Sequence, residues 1–249
     1  MTFSEFFERY VFVRKCVACS ERLGYEYRSE AFCDACRVSF ERAKVDSCPE
    51  CMRAMADCRC LPKRLSNVGI ITHRKLFAYR KSEPLRPENK LVYHLKNYRS
   101  KRVADFAACQ LSYRLEEILS SENLSNGDAV ITFVPRSKRS YARYGVDQAR
   151  AVAESLGKIS GVECLPLLKR LHDGPQQKSL TVKERLKNTA GMFKVDKARA
   201  GEVSSRAVIL YDDVVTTGAS VCRATQELRR YGFEKIYILS LASTVKEKR

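Results

Sequence analysis

The spacing of apolar positions changes period several times along the chain, and each change marks an element. Val208, Ile209, Leu210 and Tyr211 form a short unbroken apolar run, which predicts a strand buried on both faces of a parallel sheet. Asp212 and Asp213 follow, then Val214 and Val215, and the small-residue turn Thr216, Thr217, Gly218, Ala219, Ser220 opens a helical pattern. That helix carries its apolar stripe at Val221, Ala224 or Thr225, Leu228 and Tyr231, and Gly232 supplies a left-handed stop. Residues 129–134, 162–167, 192–195 and 235–242 read as further strands, and 68–72 and 77–79 as two short ones. Helical spacing covers 90–98 (Leu91, His94 or Leu95, Tyr98) and 103–119. The two prolines within 82–87 mark a loop, and the polar stretch 120–128 breaks the chain before the next strand. Buried strands alternating with helices predict an α/β fold built on a parallel sheet.

At the start of the chain, Phe3, Phe6, Phe7, Tyr10 and Val11 follow helical spacing, and a short amphipathic helix packed on its own domain is expected. Glu5, Glu8 and Arg9 interrupt the apolar positions, so the segment does not read as a secretory signal, and a cytoplasmic protein is expected. No apolar run approaches the ~20 residues that span a membrane. The 249 residues, 45% of them apolar, allow one sizeable core and a small appendage, divided here as 1–62 and 63–249.

Charge adds a partner class. With 46 Lys and Arg against 29 Asp and Glu, the net charge of +17 favours polyanions: nucleic acid, phosphorylated ligands or an acidic surface. Residues 63–102 hold twelve of these cations and only two acids, Glu83 and Glu88, with Phe77, Tyr79, Tyr93, Tyr98, His73 and His94 interleaved. Cations that follow a backbone and rings that stack on bases are what a single-stranded nucleic-acid groove needs. Lys90, Tyr93, Lys96, Tyr98, Arg99, Lys101 and Arg102 are the candidate contacts; the same stretch also fits a solvated basic face with inward-pointing rings.

Eight of the eleven cysteines fall in the first sixty residues, as Cys16-x-x-Cys19, Cys33-x-x-Cys36, Cys48-x-x-Cys51 and Cys58-x-Cys60. Cys-x-x-Cys is the knuckle that wraps thiolates and neighbouring amides around one tetrahedral Zn²⁺. Eight thiols suit two four-sulfur sites. Disulfides need an oxidising compartment, and thioredoxin-like chemistry needs a surrounding βαβ unit that is not visible. Pairing in chain order closes the shorter loops, with Cys16, Cys19, Cys33 and Cys36 in one site and Cys48, Cys51, Cys58 and Cys60 in the other. An interleaved pairing of the knuckles stays open. Either set saturates the metal, so the zinc is structural. Cys109, Cys164 and Cys222 lack metal spacing and read as core residues.

A strand, an acidic pair and a Thr/Gly/Ser turn at a helix start make a site for a phosphorylated sugar. Free N–H groups and hydroxyls face one concavity at the positive helix end, and Gly218 lets the backbone approach a phosphate. Asp212 and Asp213 at the carboxyl edge accept ribose hydroxyls or hold Mg²⁺ through water. The bland alternative is an acidic turn that caps the helix. After the strand at 129–134, the basic segment carrying Arg136, Lys138, Arg139 and Arg143 stands where it can neutralise pyrophosphate. The Lys-, Gln- and Thr-rich residues 173–190 suit a loop that closes over a ligand, or an exposed connection.

The pattern from Val208 to Ser220 resembles the phosphoribosyl-pyrophosphate (PRPP) motif of type I phosphoribosyltransferases. This implies that Thr216, Thr217, Gly218, Ala219 and Ser220 hold the 5-phosphate while Asp212 and Asp213 face the ribose. The run LVYHLKNYRSKR, the turn Tyr144-Gly-Val-Asp-Gln148, and the series Leu168-Lys-Arg170, Gln177, Leu180, Arg185, Asn188, Gly191-Met-Phe193 resemble the ComF competence-protein family, as do cysteine knuckles ahead of a phosphoribosyltransferase-like domain. In that family the turn usually reads Arg-Gly-Phe-Asn-Gln, so Tyr144, Val146 and Asp147 depart from it, as does Gly174 where a Thr is usual.

The resemblance implies a PRPP- and Mg-binding protein that handles single-stranded DNA in natural transformation, beside other DNA-uptake proteins such as a helicase. Two other readings stay open. One is a working transferase, in which Asp212 and Asp213 steady the ribose and the basic segment takes the leaving pyrophosphate. The other is a zinc-module adaptor without catalysis.

Overall fold

The computed structural model describes residues 14–48, 51–79, 86–171, 191–203 and 206–244. The expected N-terminal helix, most of the loop at 82–87, the segment 173–190 and the chain end lie outside the described residues.

Two hairpin strands, β1 (Arg14–Lys15) and β2 (Arg22–Leu23), precede α1 (Asp34–Ala43). After a short α2 (Lys63–Ser66) come β3 (Ile70–Tyr79), α3 (Pro87–Asn97) and α4 (Lys101–Ser121). Next are β4 (Ala129–Phe133), α5 (Lys138–Tyr144), α6 (Gln148–Ser160), β5 (Glu163–Cys164) and β6 (Leu168–Arg170). The chain closes with β7 (Phe193–Val195), α7 (Lys197–Gly201), β8 (Ala207–Val215), α8 (Ala219–Tyr231) and β9 (Ile236–Thr244).

The main sheet has the order β3-β9-β8-β4-β5, every pair parallel. Strand β8 lies at its centre, which explains its unbroken apolar run: Ile209 and Tyr211 enter one core, Val208 and Leu210 the other. The first core lies under α4 and α6, the second under α8 and the separate β6–β7 ribbon. Phe32 and Phe40, from the cysteine-bearing segment, enter the first core. Their ring centroids lie 5.5 and 5.7 Å from that of Phe106 on α4, the first pair edge-on.

Several expectations change. The two short strands expected at 68–72 and 77–79 are one strand, β3, because the polar residues between them find partners in the fold. Arg74 is fully buried yet donates to the carbonyl oxygens of Cys58 (2.7 Å) and Ala56 and to Thr72 Oγ1 (2.7 Å). The strand expected at 162–167 is only Glu163–Cys164. Beyond Pro166 the chain leaves the sheet, and β6 pairs antiparallel with β7. The basic segment after β4 contains a helix, α5, capped by Ser137 accepting from Ser140 N at 3.0 Å and stopped by Gly145 at φ 67°. Cys109 is exposed rather than part of the core, since it falls off the apolar stripe of α4; Cys164 is half-buried and Cys222 buried.

Candidate zinc and phosphoribosyl sites

The sulfurs of Cys16, Cys19, Cys33 and Cys36 gather in one group and those of Cys48, Cys51, Cys58 and Cys60 in another, each within 4.8 Å of one another. This is the chain-order pairing. Four thiolates on a tetrahedral Zn²⁺ at about 2.3 Å stand about 3.8 Å apart. The Cys19–Cys33 sulfurs are 3.7 Å apart and the Cys51–Cys58 sulfurs 3.8 Å, so both groups fit zinc. Each would hold one ion as a structural cross-link.

Burial, then hydrogen bonding with Glu21 and Cys19, pushes the Cys33 thiol up to about 11. A hydrogen bond with the Cys51 thiol, then burial and the Cys58 thiol, push Cys60 up to about 12. Burial also opposes ionisation of Cys16, but backbone N–H groups of Cys19, Cys33 and Ala18 outweigh it and bring that thiol down to about 7. Burial and neighbouring thiols also raise Cys36 and Cys58, a cost that a divalent ion held by the thiolates would relieve.

Two buried arginines seat the second cysteine group. Arg74, on β3, holds the Cys58 and Ala56 carbonyls, and Arg114, on α4, donates to the Val45 carbonyl and to Asp46 Oδ1 at 3.4 Å. Glu117 faces both, 2.6 Å from Arg114 Nη1 and 3.8 Å from Arg74 Nε. The first group is tied down by Lys90, which donates to the Ala18 carbonyl, and by Arg102, which donates to the carbonyls of Glu30 and Lys15 (3.2 Å for the latter).

At its carboxyl end β8 runs through the acidic pair, and the turn at 216–218 leads into α8. Gly218 sits at φ 71°, and a concavity of about 50 Å³ runs from Asp212 round to Val221. Thr216 and Thr217 are exposed and Ser220 half-buried. The Thr216 carbonyl accepts from Thr244 Oγ1 at 3.0 Å, so the end of β9 steadies the loop.

The two acids point to opposite faces of the sheet. Asp213 is 6% exposed, with Lys96 Nζ and Gln148 Nε2 each 3.3 Å from its Oδ2. Asp212 shares its face with Ser240 and Lys75, all in one cross-strand row. Burial, and then the charge of Asp213, hold the Asp212 carboxyl well above the ordinary carboxylate range. His73 Nε2 lies 2.8 Å from Ser240 Oγ, and burial with Lys75 and Arg74 nearby pushes its pKa down to about 3.

The basic residues divide by role. Arg136, expected at the pyrophosphate, instead donates to the carbonyls of Val146 (3.0 Å) and Lys96 (2.8 Å), with its guanidinium over the Tyr144 ring. Lys138, Arg139 and Arg143 lie exposed on α5. The departures at Tyr144 and Asp147 have a structural purpose. Tyr144 faces both Arg136 and Arg143, and Asp147 accepts from Arg136 N at 3.1 Å and caps α6. Of the nucleic-acid candidates, Tyr93, Tyr98, Arg99 and Lys101 are exposed, Lys96 is committed to Asp213, and Lys90 and Arg102 hold the cysteine segment. A larger cleft, about 490 Å³, lies between that segment and α4, with Arg28, Arg37, Lys101 and Arg102 on its walls.

Sequence reasoning missed Arg74 and Arg114, and it quoted Gln148 only as part of a turn, with no role at Asp213. The signal of the two arginines was a charged residue standing at an otherwise apolar position, which reads as a strand break or a surface residue until its partner is seen.

Sheet order, acidic strand end and small-residue loop define a phosphoribosyltransferase-like α/β protein with an N-terminal pair of four-cysteine groups. No protein-family model matches the chain. Competence protein ComFC of Streptococcus pneumoniae is 26% identical over 214 residues, 84% of this chain and 86% of that protein. Competence protein F of Haemophilus influenzae is 31% identical over 101 residues, 40% of this chain and 44% of that protein. The chain is a homologue of these ComF-type competence proteins.

Proposed function

We propose that this protein binds PRPP with Mg²⁺ at the end of β8 and handles single-stranded DNA during DNA uptake. The observation that carries the ligand is the left-handed Gly218 loop at the start of α8, directly after a central strand that ends in two acids. Amides and hydroxyls of Thr216, Thr217 and Ser220 suit the 5-phosphate, and Gly218 and Ala219 present no bulk against it. Asp212 and Asp213 suit ribose hydroxyls and the hard oxygen coordination of Mg²⁺. The ion would offset phosphate charge at the ring; the chain's own residues orient the ribose.

The DNA role draws on the names of the two relatives and on the exposed Tyr93, Tyr98, Arg99 and Lys101, with the cleft that continues from Lys101 and Arg102. Proximity to a helicase or other uptake protein, and a cytoplasmic location, belong to the same reading.

Calorimetry with PRPP and Mg²⁺ tests it directly. Wild type should bind, and Asp213→Asn should weaken binding at least ~10-fold, the scale of one charge-assisted hydrogen bond. Absence of wild-type binding overturns the phosphoribosyl reading. Pyrophosphate release in the presence of a base or amine separates a working transferase from a PRPP-binding protein.

A further inference from the structure

Beside the first cysteine group, the cleft of about 490 Å³ has the volume of a small-molecule site. One wall is the stretch between the two knuckles of that group, with Arg28 and Glu30, continued by Arg37 on α1. The other wall is α4, with Lys101, Arg102, Asp105 and Phe106, and α6 adds Ile159. Arg102 ties the walls together, since it donates to the carbonyls of Glu30 and Lys15.

The two acids of the cleft are already paired. Glu30 meets Arg37, and Asp105 lies 2.5 Å from Lys101 Nζ and accepts from Ser155 Oγ at 2.6 Å. Among the described residues Arg28 and Arg102 form no ion pair: Arg28 stands over the Tyr25 ring, and Arg102 donates to carbonyl oxygens. Lys101 and Arg102 also occupy the first turn of α4, which holds no acidic residue and where the helix dipole disfavours cations. An anion in the cleft offsets that cost, and guanidinium forks match phosphate oxygens in particular. The rest of the lining is of another kind. The Arg37 guanidinium lies 5.4 Å from the centroid of the Phe106 ring, and Ile159 is 49% exposed. Guanidinium planes and apolar side chains are surfaces on which an unstacked base packs.

We propose that this cleft is a nucleotide pocket, with a phosphate against Arg28, Lys101 and Arg102 and the base toward Ile159 and the Arg37–Phe106 pair. The same chemistry has two sources, a free nucleoside monophosphate or one nucleotide of a single strand; the second rests on the nucleic-acid reading above. An acidic peptide fits the lining less well. Its carboxylates would add to Glu30 and Asp105, and it brings no ring to the Arg37 face.

Cys109 supplies the readout. It is exposed, lines this cleft and does not line the concavity from Asp212 to Val221, so its alkylation rate in the zinc-loaded full chain reports the cleft alone. Peptide mapping by mass spectrometry follows that thiol with five probes: deoxyadenosine monophosphate, deoxyadenosine, inorganic phosphate, a short single-stranded oligodeoxynucleotide and a polyglutamate peptide. The monophosphate should slow alkylation of Cys109, and neither deoxyadenosine nor inorganic phosphate should match it at equal concentration. Arg28→Gln, at an exposed position, should raise the concentration needed at least ~10-fold, as for removal of one charge-assisted hydrogen bond. Ile159→Glu should weaken protection and Ile159→Lys should not, with the far-ultraviolet spectrum and zinc content as folding controls. Protection by the oligonucleotide at a lower concentration than the monophosphate assigns a strand as source, and the reverse order assigns a free nucleotide.

No protection of Cys109 by either nucleotide probe overturns the proposal. Equal protection by inorganic phosphate overturns it too, because an anion site without a base is then left. Protection by the polyglutamate peptide alone overturns it in favour of an acidic partner chain, and unchanged protection in Arg28→Gln and Ile159→Glu overturns the placement. A wild type that binds the oligonucleotide while Cys109 stays reactive removes the pocket and keeps the strand reading. Protection by the monophosphate in a chain that binds no strand removes the strand reading and keeps the pocket.

Discussion

The side chain of Leu65 occupies the space that a β-carbon on Gly218 would need, with its Cδ2 2.8 Å from that position. A residue five places after Cys60 thus forms one wall of the loop at 216–218. Two constraints meet at Gly218: the packing of Leu65, which a rotamer change relieves, and the backbone at φ 71°, which no side chain relieves.

Gly218→Ala should therefore cost about 1–2 kcal/mol from the left-handed backbone alone. That corresponds to a melting temperature lower by roughly 2–8 °C for a chain of this size. Ribose 5-phosphate affinity should fall more steeply than stability, because the loop amides must move. Calorimetry beside a thermal melt separates the two effects. Unchanged affinity would show that the amides do not hold the phosphate.

Arg74→Met keeps the volume of the side chain but strips the Cys58 and Ala56 carbonyls of their donor and leaves Glu117 facing Arg114 alone. Loss of one member of a buried charged network costs on the order of 3 kcal/mol. The second zinc should leave first when a chelator is added, with the first group unaffected. Zinc release followed by a colorimetric chelator gives the answer; two ions released in step would show that Arg74 does not act on one site.

Elemental analysis should find about two zinc per chain, from eight thiolates in two tetrahedral sites. The double variant Cys16→Ser with Cys33→Ser removes two ligands from one group and should retain about one ion. Interleaved knuckles would lose both.

Asp212 gives a pH dependence of definite sign. Its pKa is raised in the folded chain, so between the ordinary carboxylate range and that raised value the native state holds a proton that the unfolded chain has released. Its contribution to stability is fully present below the unfolded pKa and is lost as pH rises through the folded one. Asp212→Asn should flatten that fall in thermal melts without ligand and raise the melting temperature at neutral pH. Mg²⁺ and PRPP need the ionised carboxylate, so their stabilisation of wild type should grow over the same pH interval. A ligand shift that shrinks as pH rises would remove Asp212 from the site.

Neutral replacement of Arg99 and Lys101 should weaken binding of a single-stranded oligonucleotide and lower the slope of log affinity against log salt by roughly 0.7 for each phosphate no longer neutralised. Tyr93→Ala and Tyr98→Ala should weaken binding with little change in slope, since stacking releases no counterions. Fluorescence anisotropy at several salt concentrations reads both. An unaltered slope in the cation variants would place the strand elsewhere.

Much of this architecture was legible because it is local. The run Val208 to Tyr211 announced a central strand, Gly218 and Gly232 bracketed α8, and the cysteine spacing announced two four-sulfur groups that fit zinc. Each of these depends on residues close together in the chain, where period, cap and knuckle geometry act directly. The helix after Ser137 was equally local in its caps. It went unread because its basic surface drew attention to charge rather than to the Ser137 and Gly145 boundaries.

The rest depends on partners distant in sequence. Arg74 reads as a strand break until the Cys58 and Ala56 carbonyls arrive beside it, and Lys96 reads as part of a nucleic-acid strip until α3 brings it to Asp213. A buried charge is tolerated only where its hydrogen-bonding partners are delivered, and delivery is a property of topology. By itself the sequence determined the central strand, the helix after it, the cysteine knuckles and the acidic loop, because each is encoded in short-range spacing. Only the tertiary structure decided which arginines brace the cysteine segment and that Arg136 ties Val146 to α3, because a guanidinium's role is set by what long-range packing places against it.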